Sequence, residues 1–190
     1  YKRQDFPVKI AGEVKDFDPV ALAGDRKTVR HMDRYTQFAV AAAKMAVADA
    51  KLDMTKENPD MAGTLIGTGI GGIHVMEDTI LQIEKRGPGK VNPFAIPMMI
   101  ANMASGQVSI TLGLRGPVLT DVTACASGTN SIGLAARLIK YGDADIMLAG
   151  GAEAAVSKAP MAGFAAMKAL SSRDCPPGEA SCPFDAGRDG

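Results

Sequence analysis

The 190-residue sequence has no tryptophan, and its aromatic residues amount to only 5%. Its core must therefore be built from Ala, Val, Ile, Leu and 11 methionines, within a hydrophobic content of 46%. No charge of one sign predominates: 21 basic residues meet 21 acidic ones. The summed field thus gives no reason to expect nucleic acid or an anionic membrane as the main partner. Long apolar runs are missing as well. None approaches the roughly 20 residues that a bilayer-spanning helix needs, and the opening Tyr1–Phe6 is polar rather than signal-like. Cysteine is scarce and odd in number, with Cys125 in an apolar segment and Cys175 and Cys182 in a Pro/Gly-rich stretch. That is no disulfide framework, and the spacing of the last two is not that of a zinc site. A reducing, cytoplasmic setting is expected, with no metal. The absence of an initial methionine and the turn-like close at Phe184–Gly190 lead us to expect further sequence on each side.

What is present alternates between strand-like and helix-like segments. Residues 1–24 read as irregular, punctuated by Pro7, Gly12, Pro19 and Gly24. Asp25 suits a helix cap, and Met32–Leu52 reads as a long helix with Phe38, Ala42, Met45 and Asp49 near one face. Ala62–Gly67 reads as a short buried strand, followed by a glycine-rich turn and a helix from Ile73 to Lys85. Met98–Leu114 is expected to form the next helix, Val118–Thr123 a strand, and Ser127–Tyr141 a helix with Ile132, Ala135, Ala136 and Ile139 inward. Asp145–Gly150 resembles a buried parallel strand, and the tail from Ser171 a loop. This alternation predicts an α/β layer architecture.

The chemistry concentrates at Asp121–Asn130, which puts a thiol between a strand end and the first turn of a helix. Unpaired N–H groups at a helix start favour an anion, so such a position suits a reactive thiolate. The same groups suit a later oxyanion. Small neighbours (Ala124, Ala126, Ser127 and Gly128) leave room for a substrate. Packing as a small buried hydrophobe explains an isolated cysteine equally well, and the residues alone leave both readings open.

A family resemblance separates them. Thr123–Asn130 resembles the active-site motif of elongating beta-ketoacyl-ACP synthases. Gly67–Gly72, Gly113–Pro117, Tyr141–Asp145, Ala149–Glu153 and Pro183–Asp185 with Arg188–Gly190 agree in order and spacing. The resemblance implies a thiolase-like, layered α/β/α fold, here one incomplete half of a duplicated fold. Residues 1–190 would be a partial N-terminal synthase domain lacking its first strand and C-terminal half. It implies that Cys125 accepts an acyl chain from acyl-carrier protein. Malonyl-carrier protein then loses carbon dioxide, and its carbanion attacks the thioester in a Claisen condensation. No cofactor is implied, and a homodimer is.

The family also uses two histidines and a lysine from its second half; neither His31 nor His74 lies in a matching motif, and structural roles are expected for both. Ile70 would face the acyl tunnel, Phe164 would be a gating aromatic, and Ala95 would border the acyl pocket across the dimer interface. Arg26, Lys27, Arg30, His31 and Arg34 concentrate positive charge. That run reads either as a solvated helix face or, with Lys90 and Lys168, as docking for an acidic carrier protein. Two other readings remain: a non-catalytic subunit or chain-length factor, and a dinucleotide-binding oxidoreductase. Gly67–Gly72 formally satisfies G-x-G-x-x-G, but no acidic strand end follows about 20 residues later.

Overall fold

The run Ala62–Gly67 forms strand β1 with all six residues buried. β1 is the centre of a sheet whose outer strands are β2 (Val118–Leu119) and β3 (Ile146–Gly151), both parallel to it. Thr64 is in register with Val118, and Ala62 to Gly67 pair in order with Ile146 to Gly151. The computed structural model describes residues 6–190; Tyr1–Asp5 lie outside the described residues. It divides into two units, residues 17–154 and residues 6–16 with 155–190.

The larger unit begins with two one-turn helices, α1 (Pro19–Leu22) and α2 (Arg26–Val29). Asp18 and Asp25 cap them through side-chain oxygens, with Pro19 in the first turn of α1, so the stretch expected to be irregular acquires a helical turn. The long helix α3 (Arg34–Asp49) starts at its own cap, Asp33. Tyr35, Thr36, Ala39, Val40 and Ala43 are buried, whereas Ala42 and Met45 are exposed. Helix α4 (Ile73–Arg86) follows β1.

The helix expected over Met98–Leu114 is two: α5 (Ala95–Met99) and α6 (Met103–Leu112). The chain turns extended at Ile100, and the Tyr35 hydroxyl donates to the freed Ile100 carbonyl at 2.7 Å. The strand expected over Val118–Thr123 keeps ladder pairing only at its first two residues, although Thr68 N–H still reaches Asp121 O at 3.2 Å.

Ala62 and Ile66 on one face of β1 share a core cluster with Tyr35, Ala39, Val40, Ala104 and Val108. Helix α7 (Ser127–Tyr141) packs on β1 and β3 through small residues. A Cβ on Gly67 would lie 2.5 Å from Ser127 O, so the helix rests on the other side of the strand. Helices on both sides of a parallel sheet give the expected α/β/α layering. The expected inner face of α7 needs correcting. Ser127, Ser131 and Ala135 are buried, while Ile132, Ala136 and Ile139 are exposed, because close backbone approach admits only small side chains at the contact. β3 is likewise only half-buried rather than fully enclosed.

In the smaller unit, α8 (Lys158–Ala166) precedes a tail expected to be loop that contains the one-turn helix α9 (Pro177–Ala180). Arg173 pairs with Asp189 at 3.3 Å, and Ser172 N–H donates to the same carboxylate.

Asp33 illustrates what burial does to a cap. It is 1% exposed, and its two oxygens accept from Tyr35 N and Val75 N at 3.2 and 3.0 Å. Loss of solvation raises its carboxyl above the ordinary 3.8, against the pull of those hydrogen bonds and of His74. The folded state thus holds the proton more tightly than the unfolded chain. The associated stability is full below 3.8 and is lost as pH rises through the folded value. Asp33→Asn should remove that pH dependence while costing about 1–3 kcal/mol throughout, since its amide nitrogen must face one of the two N–H donors. Urea midpoints of both proteins between pH 4 and 7 check this: parallel pH profiles would contradict it.

Candidate active site

Cys125 stands on a tight turn, in a single 3-10 turn over Ala124–Ala126 that runs straight into α7. Its side chain is exposed and free. The preceding Ala124 has φ of 51°, the left-handed region, which costs a non-glycine residue about 1–2 kcal/mol and persists only when neighbours hold it.

The neighbours that hold it are polar. The Ser127 hydroxyl donates to Ala124 O at 2.7 Å and accepts from Thr123 N–H at 2.9 Å, so one side chain spans both sides of the strained residue. Asn130 Nδ2 donates to Thr123 Oγ1 at 2.9 Å, and the Thr123 hydroxyl donates to the Asp121 carboxylate. Thr123, Ser127 and Asn130 follow at i, i+4 and i+7, which places them on one side of the chain entering the helix.

The glycine turn after β1 lies against this one. A Cβ on Gly69 would come 3.7 Å from Ala124 Cα, so nothing separates the two backbones. The Glu153 carboxylate, just past β3, accepts from Gly69 N at 2.7 Å and Ile70 N at 3.0 Å. Thr68 Oγ1 accepts from Gly71 N at 3.1 Å. A Cβ on Gly72 would meet Met98 O at 2.5 Å, so this glycine permits packing against α5.

A thiol on a strained strand-to-helix turn, framed by a glycine loop, agrees with what a whole-chain family match gives: the model described as "Beta-ketoacyl synthase, N-terminal domain" matches residues 1–190. The chain belongs to this family. The 3-oxoacyl-[acyl-carrier-protein] synthase 2 of Synechocystis sp. is 50% identical over 190 residues, covering 100% of this chain and 45% of that protein. The protein of the same name from Staphylococcus aureus is 47% identical over 188 residues, covering 98% and 46%. This beta-ketoacyl synthase chain therefore spans about half the length of the curated relatives it matches. Among solved structures, a beta-ketoacyl synthase from Burkholderia phymatum superposes with a TM-score of 0.85 at 29% identity, over 98% of this chain and 46% of that one. AntDE:AntF, a type II PKS acyl-carrier protein in complex with its ketosynthase bound to the hexaketide, gives 0.78 at 35% identity over 83% and 40%.

Of the residues singled out from the sequence of this synthase chain, Cys125 and Ile70 lie on adjoining turns: Ile70, 42% exposed, directly follows Gly69, whose Cβ position is 3.7 Å from Ala124 Cα. Ala95 is buried at the start of α5. Phe164, 39% exposed on α8, and the exposed Lys168 belong to the other unit. Lys27, Arg30 and Lys90 are exposed. His31 stacks on Phe94 with ring centroids 3.9 Å apart, which joins the Lys27–Arg30 turn to the segment after Lys90. Arg34 departs from that group: its guanidinium lies over the rings of Phe17 and Phe38. His74 stands in the first turn of α4, where its charge acts on Asp33.

The positive-φ turn and the Glu153 contact were not foreseen. The first is invisible because alanine carries no turn signature; the second joins residues 84 apart in sequence. The polar spacing of Thr123, Ser127 and Asn130 is the sequence signal for the contacts that hold the turn. The same contact disposes of the dinucleotide reading, since the N–H groups that would cradle a pyrophosphate already serve a carboxylate.

Proposed function

We propose that this chain carries the acyl-accepting site of a fatty-acid-elongating beta-ketoacyl-ACP synthase. The Cys125 thiolate adds to the carbonyl carbon of a carrier-bound acyl thioester. The carbon–sulfur bond to the carrier breaks, the carrier leaves as a thiolate that takes its proton from solvent, and the acyl group remains on Sγ. Malonyl-carrier protein then releases carbon dioxide, and its carbanion attacks the same carbonyl. The bond to Sγ breaks, giving a chain two carbons longer. The observation that carries this reading is the exposed Cys125 on a strained turn held by Ser127 and Thr123. A non-catalytic partner subunit would have no use for a free thiol so placed.

Ile70, Ala95 and Phe164 are assigned to the acyl pocket, and Lys27, Arg30, His31, Lys90 and Lys168 to carrier-protein docking in a cytoplasmic homodimer. Among the described residues no helix is long and apolar enough to cross a membrane. His31, stacked on Phe94, and His74, in the first turn of α4, are not assigned to decarboxylation. Intact-mass measurement after incubation with acyl-carrier-protein thioester tests the proposal: one acyl mass on the Cys125 peptide is expected, and an unmodified protein would sink it.

The docking assignment has its own test. Reversing Lys27 and Arg30 to glutamate should raise KM for the acyl-carrier substrate on the order of tenfold at low salt, with kcat changed little. The difference should shrink as ionic strength rises, because exposed charges are screened over about 8–10 Å. A KM equal to that of the unaltered enzyme at low salt would remove both residues from the docking surface.

A further inference from the structure

We infer that Glu153 is a positioning residue that fixes the Gly69–Ile70 wall beside the acyl-accepting cysteine, and so sets both the acylation rate and the acyl-chain lengths accepted. The inference rests on the reading of Cys125 as acyl acceptor and Ile70 as a pocket residue.

The end of β3 is a rigid place to mount such a group. Gly151 backs directly onto α7, where an added Cβ would come 2.9 Å from Gly128 Cα, and Ala152 N–H continues the ladder to Gly67 O at 3.0 Å. From there Glu153 turns one carboxylate oxygen, Oε2, onto two successive backbone donors, Gly69 N and Ile70 N. Consecutive N–H groups converging on one anion form a nest, an arrangement that dictates the direction of both peptide planes. The position of the missing Gly69 Cβ lies 3.0 Å from the carboxylate oxygen and 3.7 Å from Ala124 Cα, so Gly69 is in contact with both.

An interaction serving only stability would be a poor use of this residue. Glu153 is exposed, and exposed charged contacts contribute little to folding. What the contact does determine is where Ile70 points, because Ile70 N–H is one of the two groups held. Released from the carboxylate, the glycine turn regains freedom at Gly69 and Gly71, the latter already at φ of 79°. The Ile70 side chain would then have no fixed place relative to the thiol.

The test compares Glu153→Ala with Glu153→Gln in the whole enzyme, following acylation of Cys125 by carrier-protein thioesters of graded chain length. Alanine should slow acylation on the order of 10- to 100-fold and flatten the chain-length profile. Glutamine, whose amide oxygen can accept both N–H groups, should restore most of the rate and the profile. An alanine variant with unchanged rate and profile overturns the inference, as does a glutamine variant no better than alanine. Should Glu153→Ala not fold, amide exchange on the unaltered enzyme decides. Gly69 and Ile70 amides must be protected, and exchange as fast as in open loops overturns the inference. If the unaltered enzyme is never acylated at Cys125, the underlying reading fails instead, which separates the two.

Discussion

Cys125→Ala should abolish acyl transfer to the protein while leaving the fold intact. In the proposed reaction the thiol sulfur bonds to the acyl carbon, and no neighbouring side chain takes its place on the turn: Ala124 and Ala126 carry only methyl groups, and the Ser127 hydroxyl is engaged with Ala124 O and Thr123 N. The expected loss is on the order of 10^6 in turnover, the scale found when an enzyme with covalent catalysis loses its nucleophile. The side chain is exposed, so stability should change by no more than about 0.5 kcal/mol. That combination separates a nucleophile from a packing cysteine, whose removal would leave chemistry untouched. The checks are intact-mass acylation and condensation assays beside a denaturant melt. Residual condensation within tenfold of the unaltered enzyme would place the acyl group elsewhere.

The features legible in the sequence are those governed by short-range rules. β1 was readable because Ala62–Gly67 is an apolar run bounded by turn residues, and it is buried at all six positions. Both ends of α7 were readable, since Gly142 closes it in a left-handed conformation that glycine adopts without strain. The inner face of α7 was not. Periodicity favours the large apolar residues as the buried side, yet the sheet beneath presents Gly67 and Gly151, and a helix drawn that close must offer Ser127, Gly128 and Ser131 instead. Small side chains give a weak hydrophobic signal, so a contact made by backbones is hidden from a reading based on hydropathy. The break between α5 and α6 escaped for a related reason: what completes it is the Tyr35 hydroxyl, 65 residues away. Type and position alone leave Cys125 open between a nucleophile and a packing residue, and the family resemblance of Thr123–Asn130 is what singles it out. The residues that hold its turn and the adjoining glycine turn are spread from Thr68 to Glu153, and only folding gathers them.

The crossing of α7 over β1 and β3 also carries the largest stability effect expected in this chain. At Gly67 a methyl group would lie 2.5 Å from Ser127 O, 2.7 Å from Ser127 C and 2.7 Å from Ser131 Oγ. At Gly151 it would lie 2.9 Å from Gly128 Cα. The obstructing atoms are mainly backbone, so no side chain can swing aside and the helix start itself has to lift. Overpacking of this kind costs about 3 kcal/mol or more, which for a chain of this size lowers Tm by roughly 6–12 °C. Gly150, next to Gly151 and in register with Ile66, is the control: a methyl group there meets nothing within 4 Å, and Gly150→Ala should melt within a few degrees of the unaltered protein. Function should follow the same geometry. Lifting the first turn of α7 carries Ser127 with it, and Ser127 is what holds Ala124 in its left-handed conformation. Gly67→Ala should therefore slow Cys125 acylation even at temperatures where the variant is folded, by on the order of 100-fold if the turn moves about 1 Å. Thermal melts of Gly67→Ala, Gly151→Ala and Gly150→Ala, with acylation rates measured below each transition, test both halves of the claim. A Gly67→Ala variant that melts with the Gly150→Ala control would show that α7 does not bear on β1 as described, and a folded one with undiminished acylation would detach the thiol's reactivity from that contact.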